Sequence, residues 1–169
     1  EEWLNRLEET LLRAVQRQLA SDVPVGCFLS GGVDSTLLAM ASSKAAGLPL
    51  KTFSIGYAEK EFDETPFARI AAQVFGCEHR EIRVTAKDLQ EMILDIPLYF
   101  DQPFADPTAL PMLFLCREAK KEVTVALSGD GGDELFFGYT YHQMLFHLRP
   151  LLALPAGPRK ACLGTLDRL

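Results

Sequence analysis

Apolar residues recur at three- and four-residue spacing across positions 3–19, where Trp3, Leu4, Leu7, Leu11, Val15 and Leu19 share one face of a predicted helix. Pro24 to Leu29 is a continuous apolar run, which predicts a short buried strand. It stops at Ser30-Gly31-Gly32. The pattern then turns helical again, with Leu37, Leu38, Met40, Ala41 and Ala45 as apolar members and Gly47 as the terminating cap. Residues 51–57 predict a second strand. A third helix starts at Asp63-Glu64 with Pro66 in its first turn, buries Phe67, Ile70, Ala71 and Val74, and ends at Gly76. The clean alternation of residues 80–84 predicts an edge strand with one face in water. Thr85, with Asp88 three residues on, caps a helix whose stripe is Leu89, Met92, Ile93 and Ile96 and which Pro97 stops. Asp106-Pro107 opens the next helix as cap and first residue. Residues 122–127 are almost uniformly apolar and predict a fourth, central strand. A second glycine loop, Ser128 to Glu134, follows, and Phe136 and Phe137 begin another helical pattern. Pro150, Pro155 and Pro158 interrupt the chain beyond Arg149.

Strands alternating with helices mean an α/β fold, a parallel sheet with helices on both faces. The expected strand order is 3-2-1-4, a Rossmann-like arrangement. Such sheets bind ligands at the carboxyl ends of their strands, where the strand order reverses. Both glycine loops leave carboxyl ends, those of strands one and four, so neighbouring strands would set the loops across one crevice. The domain is expected to run over 1–149, with its core in 21–141. Residues 150–169 are expected to begin a helical segment cut short.

Composition narrows the function. The 169 residues are 48% hydrophobic, enough for one domain with a core. Net charge is -6 and no basic stripe appears, which argues against a nucleic-acid partner. Apolar runs are too short to span a bilayer, and no charged-then-apolar leader is visible. A first residue other than Met predicts a piece of a longer chain. Cysteines at 27, 77, 116 and 162 form no Cys-x-x-Cys pair, so reduced thiols in a cytoplasmic protein are expected rather than zinc or disulfides. His79, His142 and His147 lack the clustering of metal ligands.

The chemistry concentrates at Ser30-Gly31-Gly32-Val33-Asp34-Ser35. A strand, a glycine turn and a helix start aim backbone N–H groups at an anion, and the helix dipole favours negative charge there. Ser30 and Ser35 add hydroxyls. A Walker loop would place Lys and then Ser or Thr after the last glycine; Val33-Asp34 stands there instead. An acid beside a phosphate calls for a cation between them, so Asp34 predicts Mg²⁺ as well as phosphate. The plainer alternative is a strand-to-helix turn with an acid in the first helical turn. Asp133 follows the second loop as Asp34 follows the first, and two carboxylates beside phosphate-binding amides describe a Mg²⁺–triphosphate clamp.

Ser30-Gly-Gly-Val-Asp-Ser35 resembles the pyrophosphatase loop of N-type ATP pyrophosphatases, members of the adenine nucleotide alpha-hydrolase-like fold. The rest resembles the synthetase domain of glutamine-hydrolysing asparagine synthetases, on collinear segments: Phe53-Ser-Ile-Gly56, Phe62-Asp-Glu64, Asp101-Gln-Pro-Phe-Ala-Asp-Pro107, Leu127-Ser-Gly-Asp-Gly-Gly-Asp-Glu-Leu135 and Gly138-Tyr139. The resemblance implies an ATP-dependent ligase that adenylates the side-chain carboxylate of aspartate, releases pyrophosphate and transfers the acyl group to ammonia. It implies that Ser30, Gly31, Gly32 and Ser35 cradle pyrophosphate and that Asp34 and Asp133 hold Mg²⁺. Leu29 and Ile55 would contact adenine, and Ser128 and Gly129 the nucleotide. Asp130 would serve the adenylate, with Glu134 supporting that acid or the amine. Gln102 and Asp130 stand where well-studied members often carry Glu. Implied partners are an N-terminal glutaminase domain that supplies ammonia and, where the protein self-associates, a second copy in a homodimer. A β-lactam synthetase-like or other amide-forming enzyme, a sulfur-transfer relative and a non-catalytic ATP-binding domain are the alternatives.

Overall fold

A computed structural model describes residues 1–47, 49–102 and 106–157. The chain falls into two compact units, Glu1–Gly129 and Asp130–Leu169. In the first, the elements run α1 (Glu2–Leu19), β1 (Val25–Phe28), α2 (Val33–Ala46), β2 (Lys51–Gly56), α3 (Thr65–Phe75), β3 (Glu78–Arg83), α4 (Ala86–Met92), α5 (Ile96–Tyr99), α6 (Ala109–Ala119) and β4 (Val125–Leu127). The four strands form one parallel sheet in the order β3-β2-β1-β4. This is the order expected from the sequence, and β3 lies at an edge.

Two cores cover the two faces of the sheet. Cys27, Leu29 and Leu50 pack with Ala39 of α2 and with Ala68, Ala71 and Ala72 of α3. Phe53, Ile82 and Val84 pack with Met92 of α4 and with Phe114 and Leu115 of α6. Helices therefore flank the sheet on both sides, as a parallel sheet requires.

Several elements differ from the sequence expectation. In α3 the large residues Phe67 and Val74 are 64% and 71% exposed and Ile70 is exposed too, while Thr65, Ala68, Ala71 and Ala72 face inward. Small residues let the helix approach the sheet and the Gly31 turn closely, and the bulky face is turned out. In α2 the inward positions are Ser35, Ala39, Ala41 and Ser42, and Leu37 and Ala45 lie outside. Of the α1 stripe only Val15 is buried, and Trp3 and Leu4 are exposed. Strand β4 is not central: among the described residues it pairs only with β1, and it spans three residues. Glu122 and Val123 are instead held in a turn by N–H bonds to Ala119 O, with Val123 packed in the core. Pro97 does not end the α4 region; a 3-10 turn, Ile93–Asp95, leads into α5, which carries Pro97 in its first turn, where its missing N–H costs nothing. Asp106 precedes α6 by three residues and accepts bonds from Thr108 N and Oγ1 at 2.8 and 2.6 Å. Of the segment Asp101–Pro107, positions 103–105 lie outside the described residues.

In the second unit, α7 (Gly132–Phe136) is bounded by left-handed residues at Gly131 and Phe137, so Phe136 closes a helix rather than opening one. Helix α8 (Thr140–Leu152) runs through Pro150. The expected terminal segment from 158 onward lies outside the described residues. No described helix is long and apolar enough to cross a membrane.

Candidate functional site

The carboxyl end of β1 carries the first glycine loop. Leu29 N donates to Phe53 O at 2.9 Å, which continues the β1–β2 ladder one residue past Phe28. Leu29 as a whole is 1% exposed, and its side chain packs in the core beneath the loop. The chain then turns sharply. Ser30 N donates to Ser35 Oγ at 3.2 Å, Gly32 N donates to Ser30 Oγ at 3.2 Å, and Ser35 Oγ donates to Gly32 O at 3.2 Å. The two serine hydroxyls lie 2.9 Å apart. Since the Ser35 proton goes to Gly32 O, Ser30 is the donor between them. Ser35, a buried residue, thus uses its donor and both acceptor positions to brace the turn.

Gly31 sits at φ +91, and a Cβ there would lie 2.6 Å from both Ala68 N and Phe67 Cβ. Only glycine suits both the dihedral and the space. Helix α2 starts at Val33 with Gly32 as N-cap and no side-chain cap, so its first amides are left for another acceptor. Gly129, at the end of the β4 connection, closes on the same point: a Cβ on it would lie 3.0 Å from Ser35 N and 3.2 Å from the Asp34 carbonyl carbon. The Asp34 carboxylate, in the first turn of α2, has no hydrogen-bond or ion-pair partner among the described residues. A free carboxylate beside uncapped amides is a hard oxygen donor suited to Mg²⁺.

The first unit therefore gathers Leu29, Ser30, Gly31, Gly32, Asp34, Ser35 and Gly129, with Ser128 preceding Gly129. Ile55 lies two residues past the last β1–β2 register pair, level with Ser30, and is half-buried against the core. Asp130, Asp133 and Glu134 belong to the second unit. There, Asp133's carboxylate lies against Gly138, where a Cβ would overlap Oδ1. Tyr139 Oη donates to Glu134 Oε1 at 2.6 Å. That bond holds the Glu134 carboxyl below its usual range and, with the adjacent negative charge, pushes the Tyr139 phenol up to about 12.

Other reactive groups have structural work. The His79 ring lies between the buried hydroxyls of Thr52 (2.9 Å) and Ser54 (3.1 Å), and burial lowers its basicity. Cys27 is fully buried, and burial pushes its thiol up to about 12, which makes it inert. The described residues show no group of three metal-type side chains. The sequence reading assigned no role to an ion-paired set at the ends of β2 and β3. Asp63 Oδ1 accepts from Thr65 N and Oγ1, and Arg83 Nη1 reaches Asp63 Oδ2 and Tyr57 O. Asp63-Glu64-Thr65 ahead of Pro66 signals the helix start but not its Arg83 partner.

The sequence model described as Asparagine synthase matches residues 6–167. Among curated relatives, asparagine synthetase [glutamine-hydrolyzing] 1 of Bacillus subtilis is 38% identical over 160 residues, 95% of this chain and 25% of its own length. A putative asparagine synthetase [glutamine-hydrolyzing] 2 of Methanocaldococcus jannaschii is 39% identical over 149 residues, 88% of this chain and 29% of its own. The chain thus spans about a quarter of the length of these relatives. Among solved structures, an NMN synthetase from Francisella tularensis aligns with TM-score 0.57 at 17% identity, covering 80% of this chain and 58% of that one. An NH3-dependent NAD synthetase from Campylobacter jejuni aligns with TM-score 0.53 at 18% identity, covering 80% and 60%. These two likenesses bear on the fold, which is that of the adenine nucleotide alpha-hydrolases.

Proposed function

Because the chain belongs to the asparagine synthase family, we propose that it is the ATP-handling part of a ligase that makes asparagine by way of an acyl adenylate. The observation that carries this reading is the loop at Ser30–Ser35: an uncapped helix start, glycine where a side chain would block approach, and no Walker lysine. In the proposed reaction the side-chain carboxylate of aspartate attacks the α-phosphorus of ATP and pyrophosphate leaves. Ammonia then displaces AMP and loses a proton. The amides at the head of α2, with Gly31, Gly32 and Ser30, would hold the departing pyrophosphate, and Ser35 would keep their turn rigid. An anion attacks a polyanion here, so oriented amides and a cation must offset the repulsion. Asp34 and Asp133 would hold Mg²⁺, which when bound supplies charge neutralisation on phosphate oxygens. Leu29 and Ile55 would contact adenine, Ile55 partly through its backbone, and Ser128 and Gly129 the nucleotide. Asp130 would act on the reacting carboxyl, with Glu134 in support.

Residues 1–149 would make up this nucleotide domain, with 150–169 opening a further helical segment. In the whole protein a glutaminase domain would supply the ammonia, as the names of the relatives suggest. A cytoplasmic setting agrees with the free thiols of Cys27, Cys77 and Cys116, and assembly as a homodimer completes the reading.

Product analysis tests it. The full-length protein with ATP, aspartate and ammonia should release AMP and pyrophosphate. ADP as main product would refute the mechanism, whereas AMP formed only with another carboxylate would keep the mechanism and change the substrate. Asp130→Ala should cut AMP release far more than ATP binding, because the role given to it lies in the reacting state.

A further inference from the structure

We propose that Asp63 and Arg83 form a latch that positions the Gly31 turn for anion binding, through the first turn of α3. This rests on the reading of Ser30–Ser35 as the pyrophosphate cradle. The links are contacts within the first unit. Arg83, the last residue of β3, donates from Nη1 to Tyr57 O at 3.2 Å and reaches Asp63 Oδ2 at 3.4 Å. The other carboxylate oxygen of Asp63 accepts from Thr65 Oγ1 at 2.7 Å and Thr65 N at 3.2 Å. Thr65 is 1% exposed and starts α3. Its Cγ2 lies 3.0 Å from where a Cβ on Gly56 would stand, so the end of β2 leaves it little room. One turn on, the backbone of Phe67 and Ala68 is the surface on which Gly31 rests. Ala68 N is bonded to Glu64 O at 3.2 Å, so this surface moves only if the start of α3 moves. The carboxylate thus ties three chain segments together: the end of β3, the loop after β2 and the start of α3.

The competing account makes Asp63 a helix-start acceptor and nothing more. It predicts lost stability and an unchanged cradle. The latch predicts that the loop loosens when the ion pair is cut and α3 is still intact. The Thr65 hydrogen bonds, with Arg83 beside them, hold the Asp63 carboxyl below its ordinary value.

The test uses the full chain, with magnesium pyrophosphate as probe, in wild type, Asp63→Ala, Asp63→Asn and Arg83→Gln. Calorimetry gives the affinity, and amide hydrogen exchange compares Ser30–Asp34 with α6, which packs in the other of the two cores from α3. Asp63→Ala should weaken pyrophosphate binding about tenfold, the order seen when a support behind a binding group is lost. Asp63→Asn, which keeps an oxygen for Thr65, should restore part of the loss. Arg83→Gln should weaken binding severalfold with the melting midpoint near wild type. In each weakened variant the loop amides should exchange faster while those of α6 hold. Should wild type itself fail to bind pyrophosphate, the cradle reading falls, and the exchange arm still decides the latch. Unchanged loop exchange in Arg83→Gln, or wild-type binding by both Arg83→Gln and Asp63→Asn, overturns the latch. If Asp63→Ala does not fold, the other two variants carry the test.

Discussion

The two glycine loops share a spelling, Ser-Gly-Gly-Val-Asp-Ser and Ser-Gly-Asp-Gly-Gly-Asp, and a backbone trick, a glycine at φ +91 in each. Their surroundings differ. Gly31 is pressed onto the backbone of α3, its turn is crossed by four hydroxyl-centred contacts, and the fourteen-residue helix α2 follows. Gly131 has nothing within 4 Å of the Cβ it lacks, and it leads into a five-residue helix that ends in another left-handed residue, Phe137. A loop that must hold a multiply charged group in one place benefits from such bracing, because a preformed cradle spends no binding energy on ordering itself. The second loop carries acids instead: Asp130, Asp133 and Glu134, the last held by Tyr139.

Paired glycine substitutions should separate the loops most widely. Gly31→Ala adds a left-handed alanine and a 2.6 Å overlap with backbone, so a loss of about 3–5 kcal/mol is expected. Gly131→Ala meets open space and should cost only the dihedral strain, about 1–2 kcal/mol. Urea unfolding of both variants checks the ratio; equal losses would mean that the packing behind Gly31 is not what distinguishes the two loops. Next comes Ser35→Ala, which removes the hydroxyl that Ser30 N and Gly32 O share in part-buried bonds and should cost about 0.5–1.5 kcal/mol in the same assay.

A smaller effect concerns pH. Burial holds His79 below its ordinary value near 6.5, so the unfolded chain takes up its proton first on acidification. The stability His79 contributes is therefore complete above that value and is lost as pH falls through it toward the lowered folded value. His79→Gln should flatten the stability profile in that window and leave the lower, carboxylate-driven fall in place. The smallest effect is expected in the second loop. Tyr139→Phe should leave the melting midpoint almost unmoved, since the pair is exposed, while the Glu134 carboxyl climbs back toward its ordinary value in a carbon-detected titration.

What could be read in the sequence follows the same division. Strand order and the glycine turn between β1 and α2 were legible because alternation and glycine placement are local signals. The face of α3 was not. Its sequence offers a bulky face, Phe67-Ile70-Val74, and a small-residue face, Ala68-Ala71-Ala72, and periodicity alone favours the bulky one. The close approach of Gly31 decides for the small face, and that is a tertiary fact. The edge position of β4 was hidden for a similar reason: Val123 lengthens the apolar run but packs in the core from a turn. The Asp63–Arg83 pair spans twenty residues, beyond any local pattern.

Amide chemical shifts of the isotope-labelled chain, followed on addition of MgATP, test the central claim most directly. The account predicts that the largest and saturable changes fall on Gly31, Gly32, Val33, Asp34 and Ser35, and that Asp34→Asn weakens the titration only when Mg²⁺ is present. Saturable shifts elsewhere with these five amides unmoved, or no titration at all, would contradict it.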